Sequence, residues 1–193
     1  MTSILQEIMQ GANRLEKTIK NLIECSKLDQ NLVEIQKSKT NLKDTIIKCI
    51  KDFENFAHIR NQSIKVELHD NLSVYCDNKR INEAFSNLFM NAIKFTPPDG
   101  FIRVYSQKTK EDVIISIQDS GIGFTKKEQE RIFKKFGKIE RYGKGFDLDI
   151  EGSGLGLYMA KRIIELHDGK IWLESKGRNK GSTFNFSLPI HPE

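Results

Sequence analysis

The chain has 193 residues, of which 38% are hydrophobic and 30% charged, with a net charge of +5. That composition suits one large folded domain, or a domain with an appendage, and excludes a disordered or fibrous chain. Lys and Arg are scattered without a long basic run, so charge makes no case for nucleic acid, while a polyphosphate ligand stays compatible.

Cys25, Cys49 and Cys76 are odd in number, far apart and form no Cys-x-x-Cys pair. A disulfide or metal framework is therefore not expected, and a reducing compartment fits. No apolar run approaches the roughly 18 residues of a membrane span, and no signal peptide opens the chain. A cytoplasmic location without membrane contact by this segment is expected, and a membrane anchor elsewhere in a longer parent stays open.

Leu5, Ile8, Ala12, Leu15, Ile19, Leu22 and Ser26 recur at alternating intervals of three and four, the seam of a coiled coil or helix bundle. Such a seam cannot bury itself, so residues 1–30 form one expected unit that needs a partner helix or a second copy. Residues 31–193 form the other. Residues 32–35 read as a short strand, and Thr40 or Asn41 as the cap of a helix reaching about Ala57. Residues 63–68 alternate as a strand does, and a shorter strand is expected near 72–75.

The next helix runs through Phe95. At about 100° per residue, Arg80, Glu83, Asn87, Asn91 and Lys94 share one stripe, with Ile81, Phe85, Leu88 and Phe89 among those on the other side. Two amides and two cations on one face can seat an anion, or a cation held by oxygen, although a solvated surface has the same pattern. Pro97, Pro98 and Gly100 stop the helix. Residues 101–107 and 112–118 form an expected hairpin, and Thr125 caps a short helix reaching about Phe133. Gly137 to Gly152 carry four glycines among mixed charges and are expected to be mobile. A helix over 153–167, closed by Asp168-Gly169, and strands at 170–175 and 182–188 complete the chain. Hairpins mixed with helices, without regular βα alternation, predict an α+β two-layer sandwich with one mixed sheet covered on one face.

Two short stretches add chemistry. Asp119-x-Gly121-x-Gly123 ends a strand with a carboxylate able to accept a hydrogen bond from an exocyclic amine such as that of adenine, and its glycines let a ligand approach the backbone. An ordinary turn has the same letters. Gly152, Ser153, Gly154, Leu155 and Gly156 open a helix, where exposed N–H groups and the helix dipole favour phosphate. A charged loop precedes them in place of a strand, so this is not a dinucleotide fingerprint, and no G-x-x-x-x-G-K-[ST] loop occurs.

Taken in order, Asn87-Leu-Phe-Met-Asn91-Ala-Ile-Lys94, Asp119-x-Gly-x-Gly123, Phe133-Lys-Lys-Phe136, Gly152 to Leu157 and Gly181-Ser-Thr-Phe-Asn-Phe-Ser-Leu-Pro189 resemble the catalytic, ATP-binding domain of sensor histidine kinases. The wider group is the GHKL superfamily of gyrase, HSP90 and MutL, with its Bergerat-type fold. The resemblance covers roughly residues 33–190, and residues 13–28 resemble the second helix of that family's dimerisation and phosphotransfer hairpin. It implies ATP and Mg2+ as ligands. Asn91 would give an amide oxygen to the metal, and Asn87 and Lys94 would line the phosphate side. Asp119 would hold the adenine amino group, with Gly121, Gly123 and Phe133 close to the nucleotide. Gly152, Ser153, Gly154, Leu155 and Gly156 would fold over the phosphates, with Lys138 or Arg141 as a lid cation.

Hydrolytic relatives carry a water-activating Glu one turn before the metal-binding Asn; here that position is Asn87, an amide, which favours a kinase in a phosphorelay over an ATPase. The resemblance also implies homodimerisation through the N-terminal helix of the parent, a phosphoacceptor histidine helix and a response regulator as partners. His58, His69, His167 and His191 do not match the acceptor pattern. The chain alone is thus not expected to phosphorylate itself, and a catalytically silent nucleotide-binding or dimerising regulator is the alternative. His167, at a helix end, is expected to sit beside the helix dipole.

Overall fold

The computed structural model describes residues 2–137 and 153–190. Its centre follows from two-residue periodicity: Ile102 and Val104, then Val113, Ile115 and Ile117, then Phe184, Phe186 and Leu188 are all buried. Successive side chains of a strand point to opposite faces, so these residues meet only if the strands are in register. They are: Val104 faces Ile117, Ile117 faces Phe184, Ile115 faces Phe186 and Val113 faces Leu188.

The strands concerned are β4 (Phe101–Lys108), β5 (Asp112–Asp119) and β7 (Ser182–Pro189), flanked by β2 (Ser63–Glu67) and β6 (Lys170–Glu174). Their order is β2-β4-β5-β7-β6. Only the β2–β4 pair is parallel, and it needs a crossover connection, which contains α3 (Asn78–Phe95). The apolar face is covered by α2 (Leu42–Ile59), α3 and α5 (Gly156–Glu165), whose own buried faces include Leu42, Ile46, Phe85, Leu88, Phe89, Ile163 and Ile164. Arg103, Tyr105 and Trp172 alternate with the buried set and lie on the other face. The expected two-layer α+β sandwich with a mixed sheet is what the chain forms.

The helix starts are chemically explicit. The Asn41 side chain accepts the Lys43 N–H at the start of α2, and Asp77 accepts those of Lys79 and Arg80 at the start of α3. Thr125 and Glu128 form a reciprocal capping box, yet α4 (Lys126–Gln129) stops four residues short of the expected Phe133. The helix expected from 153 begins only at Gly156.

One strand falls elsewhere than expected. Residues 32–35 are not a strand; β1 (Ser38–Asn41) is, paired antiparallel with β3 (Ser73–Cys76). Ser-Lys-Thr-Asn has no apolar alternation, and cross-strand pairing overrides propensity there. The three cysteines are buried and free, and burial raises each thiol pKa, that of Cys76 to about 11.

α1 (Thr2–Asp29) is a continuous helix. Its seam residues Leu5, Ile8, Leu15, Ile19 and Leu22 are exposed, while Cys25 and Leu28 in its last two turns are buried in the common core. No helix among the described residues is long and apolar enough to cross a membrane. The expectation of mobility over 137–152 lies, apart from Gly137, outside the described residues.

Candidate functional site

The polar stripe of α3 divides into two halves. At its N-terminal end Arg80 bridges Glu24 of α1 at 2.6 Å and Glu83 at 3.0 Å, so Glu83 is tied into a helix–helix contact and is not merely solvated. One turn further on, Asn87 faces the start of α5: a Cβ placed on Gly156 would lie 3.0 Å from the Asn87 Oδ1 atom. Only glycine allows that approach without displacing the amide. Asn91 follows on the same stripe, half-buried. Lys94 is 8% exposed, with its ammonium 5.7 Å from the Phe95 ring centroid.

α5 has no side-chain cap at its start. Among the described residues no side chain takes up its first N–H groups, the donors that a helix N-terminus can offer to an anion. Ahead of it, Gly154 has φ +72, and the Ser153 hydroxyl accepts from the Leu155 N–H at 3.3 Å and from the Asn21 amide of α1 at 3.3 Å. Gly152, Lys138 and Arg141 lie outside the described residues.

Asp119 ends β5 almost fully buried. One carboxylate oxygen accepts the Gly121 N–H at 2.8 Å and the other accepts the Ser182 hydroxyl. Burial pushes the carboxyl pKa above its ordinary value, and the Ser182 and Gly121 donors pull it partly back. A Cβ on Gly121 would come within 2.4 Å of the Phe95 carbonyl oxygen, so the loop lies directly on the C-terminus of α3. Gly123 has φ +61, and a Cβ there would meet the Gly177 carbonyl at 2.1 Å. Phe133 stands edge-on to Phe184 at 6.4 Å, and Phe184 to Phe124 at 5.7 Å, an apolar wall running from the loop towards α4.

Ser182 was given no role by the sequence reading. Its role comes from the antiparallel register that sets it opposite Asp119, and a serine at the first position of β7 offers no local signal of that. His167 has a structural role at the helix end, as expected, and its partners specify that role. It is 1% exposed, its Nε2 accepts the Asp77 N–H at 2.9 Å and its Nδ1 donates to the Ile163 carbonyl at 2.7 Å. Both partners are fixed in role, so the ring is neutral, and desolvation lowers its pKa. It clasps the end of α5 to the cap of α3.

A family model described as "Histidine kinase-, DNA gyrase B-, and HSP90-like ATPase" matches residues 76–192. The adaptive-response sensory kinase SasA of Nostoc sp. is 30% identical over 194 residues, covering 100% of this chain and 47% of that protein; the chain thus spans about half the length of that relative. The crystal structure of histidine kinase ThkA in complex with response regulator protein TrrA aligns with TM-score 0.76 at 28% identity, over 98% of this chain and 51% of that one. Full-length ShkA in complex with AMPPNP aligns with TM-score 0.84 over 100% of this chain and 39% of that one, and at 18% identity it speaks for the fold alone.

Proposed function

The chain belongs to the histidine kinase-, DNA gyrase B- and HSP90-like ATPase family, and from that premise we propose that it binds Mg–ATP and passes the γ-phosphoryl group to a histidine in two-component signalling. The observation that carries the reading is the apposition of Asn87 and the uncapped start of α5, with buried Asp119 beyond the end of the same helix. A polyphosphate fits between an amide-lined helix face and helix-terminal N–H groups, and a carboxylate suits an exocyclic amine.

In this reading Asp119 orients the adenine through its amino group. The first N–H groups of α5 and the Lys94 ammonium hold phosphate charge, and Ser153, Gly154 and Leu155 let the backbone fold onto it. Lys138 or Arg141 is proposed as the lid cation. Asn91 supplies an amide oxygen to Mg2+. The donor suits that ion: an amide oxygen is a hard ligand, and Mg2+ characteristically takes few protein ligands together with phosphate oxygens and water. When bound, the ion neutralises charge on the transferring phosphoryl group. Asn87 stands where a hydrolase needs a base and has no basic lone pair, so water is not activated there. Positioning and charge stabilisation are what phosphoryl transfer asks of a protein.

The SasA relatives are sensory kinases by name, and ThkA is seen with a response regulator. Both support a histidine as first acceptor and a response regulator as the next. Dimerisation through the exposed seam of α1 belongs to the same proposal. The test is calorimetry of Mg–ATP binding with a γ-label assay on the same chain. Expected are binding, slow hydrolysis and no acid-labile phosphoprotein, because the acceptor is not among this chain's histidines. Absence of ATP binding, or rapid hydrolysis by the unsubstituted chain, would overturn the reading. Asn87→Glu should raise hydrolysis.

A further inference from the structure

Independently of the nucleotide site, the geometry points to β2 as a docking edge for a second copy of this chain. β2 hydrogen-bonds only to β4 among the described residues, so its outer edge is unpaired. The Ser63 N–H bonds to the Gly100 carbonyl at 3.0 Å, which fixes the phase of the strand. Backbone groups of residues 63, 65 and 67 turn inward to β4, and those of Ile64 and Val66 turn outward. Val66 is 40% exposed, and beside it a groove of about 400 Å³ opens against α2, lined by Ile47, Ile50, Val66 and Leu68 and rimmed by Lys43, Lys51 and Glu54. Exposed edges of this kind recruit another strand unless a proline, bulge or cover prevents it; β2 contains no proline.

The occupant follows from the residue order. Antiparallel pairing of two copies about a two-fold axis at Val66 places Val66 opposite Val66, Lys65 opposite Glu67 of the second copy, and Ile64 opposite Leu68 of the second copy. Every opposition is favourable: two Lys–Glu pairs lie on the open face of the sheet and three apolar pairs on the groove face. The hydrogen-bond phase agrees as well. A residue on such an axis forms the mutually bonded type of pair when its own N–H and C=O are directed outward, as those of Val66 are, and the non-bonded type when they are directed inward. Lys65 and Glu67 then form the non-bonded type, in which side chains approach more closely. Their current partners do not forbid this. The Lys65 side chain is 72% exposed and its bridge to Glu67 lies on the surface, and Glu67 also bridges Arg103 of β4 on that same open face, where the Arg103 side chain is 43% exposed.

Charge reversal tests the axis directly. Lys65→Glu makes positions 65 and 67 both acidic, and Glu67→Lys makes both basic. Each variant should repel itself, yet the two together restore both Lys–Glu pairs. With donor- and acceptor-labelled chains, self-association of either variant should weaken at least tenfold, ~1.4 kcal/mol, and the mixture of the two should match the unsubstituted chain. The α1 seam is the same in every combination, so association through it contributes equally. In the unsubstituted chain, amide exchange at Ile64 and Val66 should slow with rising concentration, while Lys65 and Glu67, already bonded to β4, should not respond. Equal affinity in all combinations overturns the proposal. So does concentration-independent exchange at Ile64 and Val66, which is also the result expected if that edge serves an extended segment of a different protein.

Discussion

At Asp119 a buried carboxylate is kept usable by two neighbours. The Ser182 hydroxyl and the Gly121 N–H both stabilise its charged form, against desolvation that favours the neutral one. Ser182→Ala removes one of these donors, so the Asp119 pKa should rise further. If the ionised carboxylate receives the adenine amino group, ATP affinity falls as pH drops through that pKa. The pH of half-loss should therefore move upward in Ser182→Ala, which titration calorimetry across pH reads out; an unmoved midpoint separates Ser182 from the adenine site. Asp119→Ala should make ATP and GTP affinities converge. Asn91→Ala has a different expected signature, because in the proposed site its amide acts through the metal: Mg–ATP binding should weaken while metal-free nucleotide binding holds. Equal losses with and without Mg2+ would count against that role.

Between elements, His167 joins α5 to the start of α3 by accepting the Asp77 N–H. Desolvation by burial lowers its pKa, with Lys37 adding to the effect and the Ile163 carbonyl, Asp77 and Asp168 opposing it. The native state then binds fewer protons than the unfolded chain between the lowered pKa and about 6.5. This contribution to stability is complete above about pH 6.5 and is lost as pH falls through that window towards the folded-state pKa. His167→Phe should abolish this part of the pH dependence and cost about 1–3 kcal/mol at neutral pH, since the Asp77 N–H is left without an acceptor. Denaturant unfolding at pH 7.5 and pH 5.0, compared between the two chains, checks both points. Such cross-element bonds mark where the sequence becomes hard to read. The cap at Thr125, that at Thr40 or Asn41 to within one residue, the apolar backs of α2 and α3, and the β4–β5 hairpin rest on local spacing and were legible. The strand at Ser38–Asn41 rests on pairing with a distant partner, and residues 32–35, with better strand composition, lack one. The stripe of α3 was legible as a face; that its first half belongs to α1 and its second to α5 was not, because Glu24 and Gly156 are brought to it only by packing.

Across the molecule, α1 presents an apolar seam to solvent on most of its length and, among the described residues, joins the domain near its C-terminal end. Two kinds of contact hold that end: burial of Cys25 and Leu28, and polar links from Asp29 to Lys135, Tyr158 and Arg162 and from Glu24 to Arg80. Magnitudes separate them. Partly exposed ion pairs contribute about 0.2–1 kcal/mol each, whereas truncating a fully buried leucine to alanine costs about 2–5 kcal/mol. Leu28→Ala should thus release the end of α1 far more than Asp29→Ala, and added salt should weaken docking only modestly. The Asn21–Ser153 bond ties this release to the segment leading into α5. Hydrogen exchange over residues 21–31 should rise strongly in Leu28→Ala and slightly in Asp29→Ala, while the amides of β5 and β7 stay protected in both. Equal exchange in the two variants would place the ionic cluster, and not the leucine, in control of how the helix meets the domain.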